Sequence, residues 1–392
     1  MRVLADSGNG LRDFMKNRSL DFCKKWFFEA NPSLWFVFGY ILIMVAVMLI
    51  NLERFNFDEA NLFTLIWTYL TLLIVHTLIN FPRYRLFWKN NQKQQILSSY
   101  VHATYQYGPY LLMAVIYDHI ILYVKAFSDI FPLIDVELMH MDEVIFGAQP
   151  TLWLERFLHP LVIDYFMVAY ALFLVYPYFY LFYLYQKNQL PVFHRAMLAQ
   201  ILSLFVALTM FITLPAKGPR HTFEAANHHE YATQNLPEYT LPLQGIHSDF
   251  LLRWTGKASL FQLQYDMWNQ IERVKTDCLP SMHTCLCLIV LIYAIRYRHL
   301  FKWKKVSLAF WIIGNLSLFF STVYLRYHWV VDVIAGALLA VVIYYLTEYL
   351  YARWLQKRKQ CGLSDPKVSW LLQADQLRNK SAVVTESPQR EH

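Results

Sequence analysis

Apolar residues along this chain gather into long continuous runs, separated by short stretches rich in lysine and arginine. A helix needs about 20 apolar residues to cross a hydrocarbon core roughly 30 Å thick. Eight runs reach or approach that length: 34–50, 62–81, 107–127, 161–185, 193–214, 280–297, 306–325 and 329–352. Only helices and closed barrels satisfy their backbone hydrogen bonds in lipid, and continuous rather than alternating apolar runs select helices. The pattern predicts an all-α fold, a polytopic membrane helix bundle with about eight transmembrane helices.

Basic residues set the orientation, because short cytoplasmic connections are enriched in lysine and arginine. The first 33 residues carry six, the connection after the second run carries Arg83, Arg85, Lys89 and Lys93, and that after the fourth carries Lys187 and Arg195. Five more lie between Arg296 and Lys305, and Arg353, Lys357, Arg358 and Lys359 follow the last run. The alternate connections are poorer: 53–61 holds one, and 128–160 holds only Arg156 against six acids. Eight crossings with both termini in the cytoplasm satisfy this alternation and leave 215–279 outside. The first run starts at Leu34 after a charged segment with no small-residue cleavage site, the pattern of an anchor rather than a removed signal peptide.

The chain is 57% hydrophobic and 16% charged, so its net charge of +7 is largely topological and makes no case for a nucleic-acid partner. Of its five cysteines, Cys23 and Cys361 fall on the cytoplasmic side, Cys285 and Cys287 inside a helix, and Cys278 outside, so no disulfide framework is expected. Segment 128–160 mixes acids with apolar residues at near-helical spacing and reads as an amphipathic element on the outer face. Segment 215–279 is a long loop carrying Trp254, Phe261, Tyr265 and Trp268. Loops of that length are functional or disordered, and this one is expected to fold over something. The polar tail beyond about residue 360 reads as disordered. The chain thus divides into a cytoplasmic segment 1–33, two helices within 34–106, a core over 107–352 and a cytoplasmic tail 353–392.

Three clusters stand at the outer ends of predicted helices: "PAKGPRH" (215–221), "CLPSMHT" (278–284) and "RYHWVVD" (326–332). In the last, His328 and Asp332 are four apart, so on a helix the carboxylate can hold the imidazole's far nitrogen. That arrangement makes a histidine a nucleophile or proton carrier, although such a pair also occurs as an ordinary structural contact. Ionisable groups at membrane depth are costly, which weights the functional reading. In the second cluster Pro280 suits a first helical turn, and Ser281 with that turn's amides makes an anion site beside His283. Lys217 and Arg220 are natural partners for phosphate oxygens, or simply interfacial snorkelling residues. His221, Glu224, His228, His229 and Glu230 match no standard metal spacing, and no metal is expected. Asp118 and His119, mid-helix, read as packing partners within the bundle.

The order of these motifs, a basic cluster, then Pro-Ser-x-His, then histidine followed four residues on by aspartate and soon by Ala-Gly, resembles the type-2 phosphatidic acid phosphatase superfamily. That group includes membrane lipid phosphatases and head-group phosphotransferases such as inositol phosphorylceramide synthase. The resemblance covers about 107–352 and implies a six-helix phosphatase-type core preceded by two extra helices. It implies that His328 attacks phosphorus, that Asp332 orients it, and that His283 protonates the leaving oxygen and then activates the acceptor. Ser281 with neighbouring amides would cradle phosphate oxygens, with Lys217 and Arg220 neutralising charge and no metal or other cofactor required. The implied partners are a membrane lipid phosphate and an alcohol or water acceptor. Two departures stand out. The family's phosphatases place Arg-Pro seven residues after the lysine of the first motif, whereas Arg220 follows Lys217 by three. Their third motif has an arginine six residues before the histidine, where this chain has Thr322, with Arg326 as a candidate replacement. Both departures resemble the phosphotransferase branch. A transporter using Asp118, Lys125 and the outer histidines is the rival reading, although no inverted repeat is visible. A continuous cavity lined by those residues, with His283 far from His328, would favour it.

Overall fold

A computed structural model of the protein describes residues 27–59, 63–223 and 275–386. The described residues form helices and no strands, joined by short turns. The first two helices, α1 (Pro32–Ile50) and α2 (Phe63–Lys89), precede the long α3 (Lys93–Ala126). Asn31 starts α1 by accepting the Ser33 amide at 3.1 Å, with Pro32 in the first turn where a missing N–H costs nothing. On the outside of α1 and α2, Leu42, Ile43, Ile50, Trp67 and Leu78 are exposed, as expected of side chains whose solvent is lipid. After α3 come α4 (Asp135–Phe146) and the single turn α5 (Pro150–Trp153). Then follow α6 (Pro160–Ala171), α7 (Tyr176–Gln186), α8 (Leu190–Thr213) and the short α9 (Pro219–Thr222). The chain ends with α10 (Met282–Arg296), α11 (Lys304–Tyr324), α12 (Val330–Gln360) and α13 (Ser369–Glu386).

Helix α8 is the hub. It packs against α1, α3, α7, α10 and α12, and Phe193, Ala196, Met197, Ala199, Ile201, Ala207 and Leu208 are fully enclosed. Its small residues let the neighbouring backbones approach, the usual solution where lipid provides no hydrophobic drive between helices.

Among the described residues six helices are long and apolar enough to cross a membrane, and a seventh crossing results if α6 and α7 count as one. Two of the eight predicted runs take a local form the run lengths did not show. Run 161–185 is two helices meeting at 47°. Pro177, in the first turn of α7, supplies no amide to the preceding turn and clashes with a continuing helix, so the chain passes through a 3₁₀ turn at Leu172–Leu174. Run 280–297 holds a 15-residue helix, about 22 Å long, short of an average hydrocarbon core. It starts late because Ser281 caps it.

The tail corrects the sequence reading further. Beyond 360 it forms α13, which packs on α2 and α3. Trp370 is fully buried and donates through Nε1 to the Tyr185 hydroxyl at 3.2 Å, while Asn188 accepts the Val368 amide at 2.6 Å. The tail's mean polarity hid a narrow apolar face, Val368, Trp370, Leu371 and Ala374, which is sufficient to dock it. Segment 128–160 likewise does more than lie at an interface. Leu138 and Met139 on α4 pack in one cluster with Trp329 and Val331 at the start of α12. If α13 is docked as described, Trp370→Ala should lower unfolding stability in detergent by about 3–5 kcal/mol. Chemical or thermal unfolding followed by tryptophan fluorescence checks this, and an undocked tail would give no change.

Candidate catalytic site

The three motif segments are stitched together by main-chain hydrogen bonds. The Cys278 amide donates to the Ala216 carbonyl at 3.1 Å, within a parallel bridge between Ala216 and Asp277. The Ser281 amide donates to the Asp332 carbonyl at 3.0 Å, and the Arg220 amide to the Arg326 carbonyl at 2.7 Å. Two glycines permit this closeness. A Cβ on Gly336 would overlap the Ser281 carbonyl, which fixes how near α12 comes to the start of α10. Gly218 has φ +83°, a conformation glycine adopts without penalty, and a Cβ there would sit 2.9 Å from Cys278 Sγ.

His283 and His328 meet at the centre. Nδ1 of His283 lies 3.1 Å from Nε2 of His328. Behind His328, its Nδ1 faces Asp332 Oδ2 at 3.6 Å and Cys278 Sγ at 3.2 Å. A carboxylate on that side favours the His328 tautomer protonated on Nδ1, which leaves the lone pair on Nε2 and lets His283 Nδ1 donate to it. The His283 ring is fixed from its faces by Tyr170, with centroids 4.4 Å apart, and Phe173 at 4.2 Å. Tyr170 in turn stacks on Tyr327 at 4.1 Å, so an aromatic wall from α6 holds the proton donor.

A second set of groups, which the sequence did not single out, holds the loops. Asp142 on α4 accepts the amides of Val330 at 2.8 Å and Val331 at 2.9 Å, one with each oxygen. Asp135, two helical turns earlier, accepts the amides of Lys217 at 2.9 Å and Gly218 at 2.7 Å, and the Trp329 indole at 3.2 Å. Both carboxylates are fully buried. Two acids seven residues apart, in register with Leu138 and Met139 on the packed face of an amphipathic helix, were the available signal. Burial pushes the Asp142 carboxyl up to about 6, more than its two amide donors pull it down, and the nearby Asp332 charge adds to the rise.

A family model described as the PAP2 superfamily matches residues 136–346, more than half of the chain. The chain belongs to the PAP2 superfamily. Members of that superfamily are phosphatases and phosphotransferases, and the long apolar helices of this chain fit a multi-pass membrane protein. Inositol phosphorylceramide synthase of Candida albicans is similar, 33% identical over 81 residues, or 21% of this chain. That stretch spans only 15% of the relative's length. No solved structure matches the chain.

The PAP2 frame brings some predicted residues together and sets others aside. His283, His328 and Asp332 converge. The Ser281 hydroxyl caps α10 by accepting the Thr284 amide at 3.4 Å, and its own amide is committed to Asp332 rather than to a ligand. Arg220 lies over the Tyr327 ring at 5.1 Å, on the same loop as Lys217. Arg326, the candidate replacement for the family's arginine, has its guanidinium paired with Glu155 and its own backbone in the left-handed region. Thr322 accepts the amides of Tyr327 at 2.8 Å and His328 at 3.0 Å, a role in the turn that any residue's carbonyl can fill. His221 is driven down to about 3 by burial and by Arg220. Its neighbours Glu224, His228, His229 and Glu230 lie outside the described residues, as do Trp254, Phe261, Tyr265 and Trp268. His119 pairs with the carbonyl of Val115 on its own helix at 2.8 Å. Separated histidines would have favoured the transporter reading, and their contact at 3.1 Å counts against it.

The clamp at Asp142 is testable. Asp142→Asn keeps one acceptor oxygen and turns a donor toward the second amide, so turnover should fall at least about tenfold as the start of α12 shifts. The stability effect has a defined sign. An acid whose folded pKa, about 6, exceeds its ordinary 3.8 binds more protons when folded. Wild type should therefore lose stability relative to Asp142→Asn as pH rises through that window, with a constant difference above it, measured as paired unfolding midpoints across pH.

Proposed function

We propose that the protein transfers a phosphoryl-containing head group from a membrane lipid phosphate to a lipid alcohol through a phosphohistidine on His328. The observation that carries this reading is the contact between His283 Nδ1 and His328 Nε2. It brings a nucleophile's lone pair and a proton donor to one site, so that phosphorus entering between them meets the lone pair on one side with its leaving oxygen toward His283 on the other, as an in-line displacement requires. In the first step the His328 Nε2 lone pair forms a bond to phosphorus while the bond from phosphorus to the leaving oxygen breaks. His283, protonated on both nitrogens once the phosphate's negative charge stands beside it, gives its Nδ1 proton to that oxygen and is left as the neutral imidazole. In the second step His283 takes a proton from the acceptor hydroxyl, whose oxygen bonds phosphorus as the N–P bond breaks. The positive charge that gathers on His328 is balanced by Asp332 behind it. Lys217 and Arg220 neutralise the phosphoryl oxygens, and Ser281 shapes the helix start beside them. Arg326 is left out of that set by its pairing with Glu155.

An alcohol acceptor is favoured over water by the family's missing third-motif arginine, replaced here by Thr322. The partial likeness to inositol phosphorylceramide synthase points the same way. The site lies on the outer, periplasmic or luminal, side with both termini cytoplasmic, a topology supported by the alternation of basic connections.

Purified protein incubated with labelled lipid phosphates, with and without candidate lipid alcohols, should yield a new labelled lipid only when the alcohol is present. Release of free phosphate alone would replace transfer by hydrolysis. His328→Ala should abolish both products, and His283→Ala should reduce turnover by about 10²–10⁴-fold. Full turnover in either variant overturns the mechanism.

A further inference from the structure

We infer that Cys278 is a positioning residue of this reaction, its S–H holding Asp332 and bridging that carboxylate to the far nitrogen of His328. The inference rests on the phosphohistidine reading and adds a third group behind the nucleophile. The distances make the case. Asp332 Oδ2 stands 3.6 Å from His328 Nδ1, beyond an ordinary hydrogen bond, whereas Cys278 Sγ is 3.2 Å from Nδ1 and 2.8 Å from Oδ2. Sulfur is thus the nearest group to the proton on Nδ1. Oδ2 also accepts the Trp329 amide at 3.0 Å, so the thiol proton and that amide share one oxygen.

Two further features place the thiol on purpose. It is buried, and its surroundings push its pKa upward, first through burial and then through the charges of Asp332, Asp135 and Asp277, so it stays protonated and donates. Gly218 leaves the room the sulfur occupies, since any side chain there would press on Sγ. An S–H can both donate to a carboxylate and weakly accept from Nδ1–H, which an alanine or valine cannot.

Removing the thiol proton has a defined consequence. Oδ2 loses a donor and its charge is less neutralised, so it holds the Nδ1 proton harder and stabilises the imidazolium. His328 must be unprotonated at Nε2 to attack, so the acidic limb of the rate profile moves to higher pH. The other charged and titratable groups around His328 stay in place in such a variant. They are His283 at Nε2, Asp277 with its Tyr117 partner, Asp135 behind the Trp329 indole, Asp142 under Val330 and Val331, and Arg220 over Tyr327.

The test measures kcat/KM against pH for the full-length protein and for Cys278→Ala, Cys278→Val and Cys278→Ser, with labelled lipid phosphate as substrate. The two non-donors should move the acidic limb upward by about half a unit or more, and the serine donor should restore most of the wild-type position. The unvaried protein gives a second readout: the S–H stretching band assigned by difference against Cys278→Ser should lie below the normal thiol frequency and move in Asp332→Asn. Coincident limbs for all variants, a shift common to serine and alanine, or a band at the normal frequency would each overturn the inference. His328→Ala separates the two readings. Full turnover there removes the phosphohistidine and this role with it, whereas lost turnover with coincident limbs removes only the role of Cys278.

Discussion

Backbone amides that lie away from water must find an acceptor, and the architecture around the histidine pair follows from how this chain supplies one. Where two loops and two helix starts crowd together at the end of a bundle, neither helix nor sheet hydrogen bonds are available to the amides of Lys217, Gly218, Trp329, Val330 and Val331. Asp135, Asp142 and Asp332 take them all. An ionised carboxylate accepts several donors at once, which neutral side chains do less well, and the positive end of α12 favours a negative charge at that point. The cost is desolvation of three acids, visible in the raised pKa of Asp142. It is tolerated because the same bonds fix His328 and its supporting groups to a rigid frame.

That frame continues into the bundle. α4 is tied to the loop after α8 by the Ile134 amide donating to the Pro215 carbonyl at 3.1 Å, and to α12 through Asp142. α10 and α12 approach closely at Gly336, and α6 delivers Tyr170 to the face of His283. Each histidine is therefore positioned by a different helix pair. Their separation depends on packing between α10 and α12, where one added methyl meets backbone rather than a yielding side chain. Precision here comes from close-packed backbone, which deforms little.

Much of this was readable in advance, and the gaps have physical causes. Apolar run length located the membrane helices because lipid imposes a length on them. It failed for 161–185 because a proline early in α7 breaks a run whose hydropathy gives no sign of it. It also failed for the tail, where four side chains suffice for docking within a segment that is polar on average. His283, His328 and Asp332 were legible because titratable groups in apolar surroundings are rare. Asp135, Asp142 and Cys278 were not, since their roles exist only through contacts with residues up to 194 positions away. Arg326 was assigned to phosphate on sequence proximity to His328. A left-handed backbone turns it toward Glu155 instead, a choice of direction that spacing alone does not encode.

The choice between water and an alcohol acceptor turns on how phosphoryl charge is managed. In the family's phosphatases an additional arginine precedes the histidine by six residues. Here that position is Thr322, whose carbonyl holds the amides of Tyr327 and His328, and the nearby Arg326 is neutralised by Glu155. In the proposed reaction less fixed positive charge would stand behind the phosphoryl oxygens, and more of the stabilisation would come from Lys217, Arg220 and the incoming substrates. Such a site gains from an acceptor that brings its own binding energy, because contacts remote from the reacting atoms can orient it and offset the missing cation. Water brings none. A lipid alcohol held along the apolar helices would, and on the proposed reading the loss of one arginine favours transfer over hydrolysis through binding.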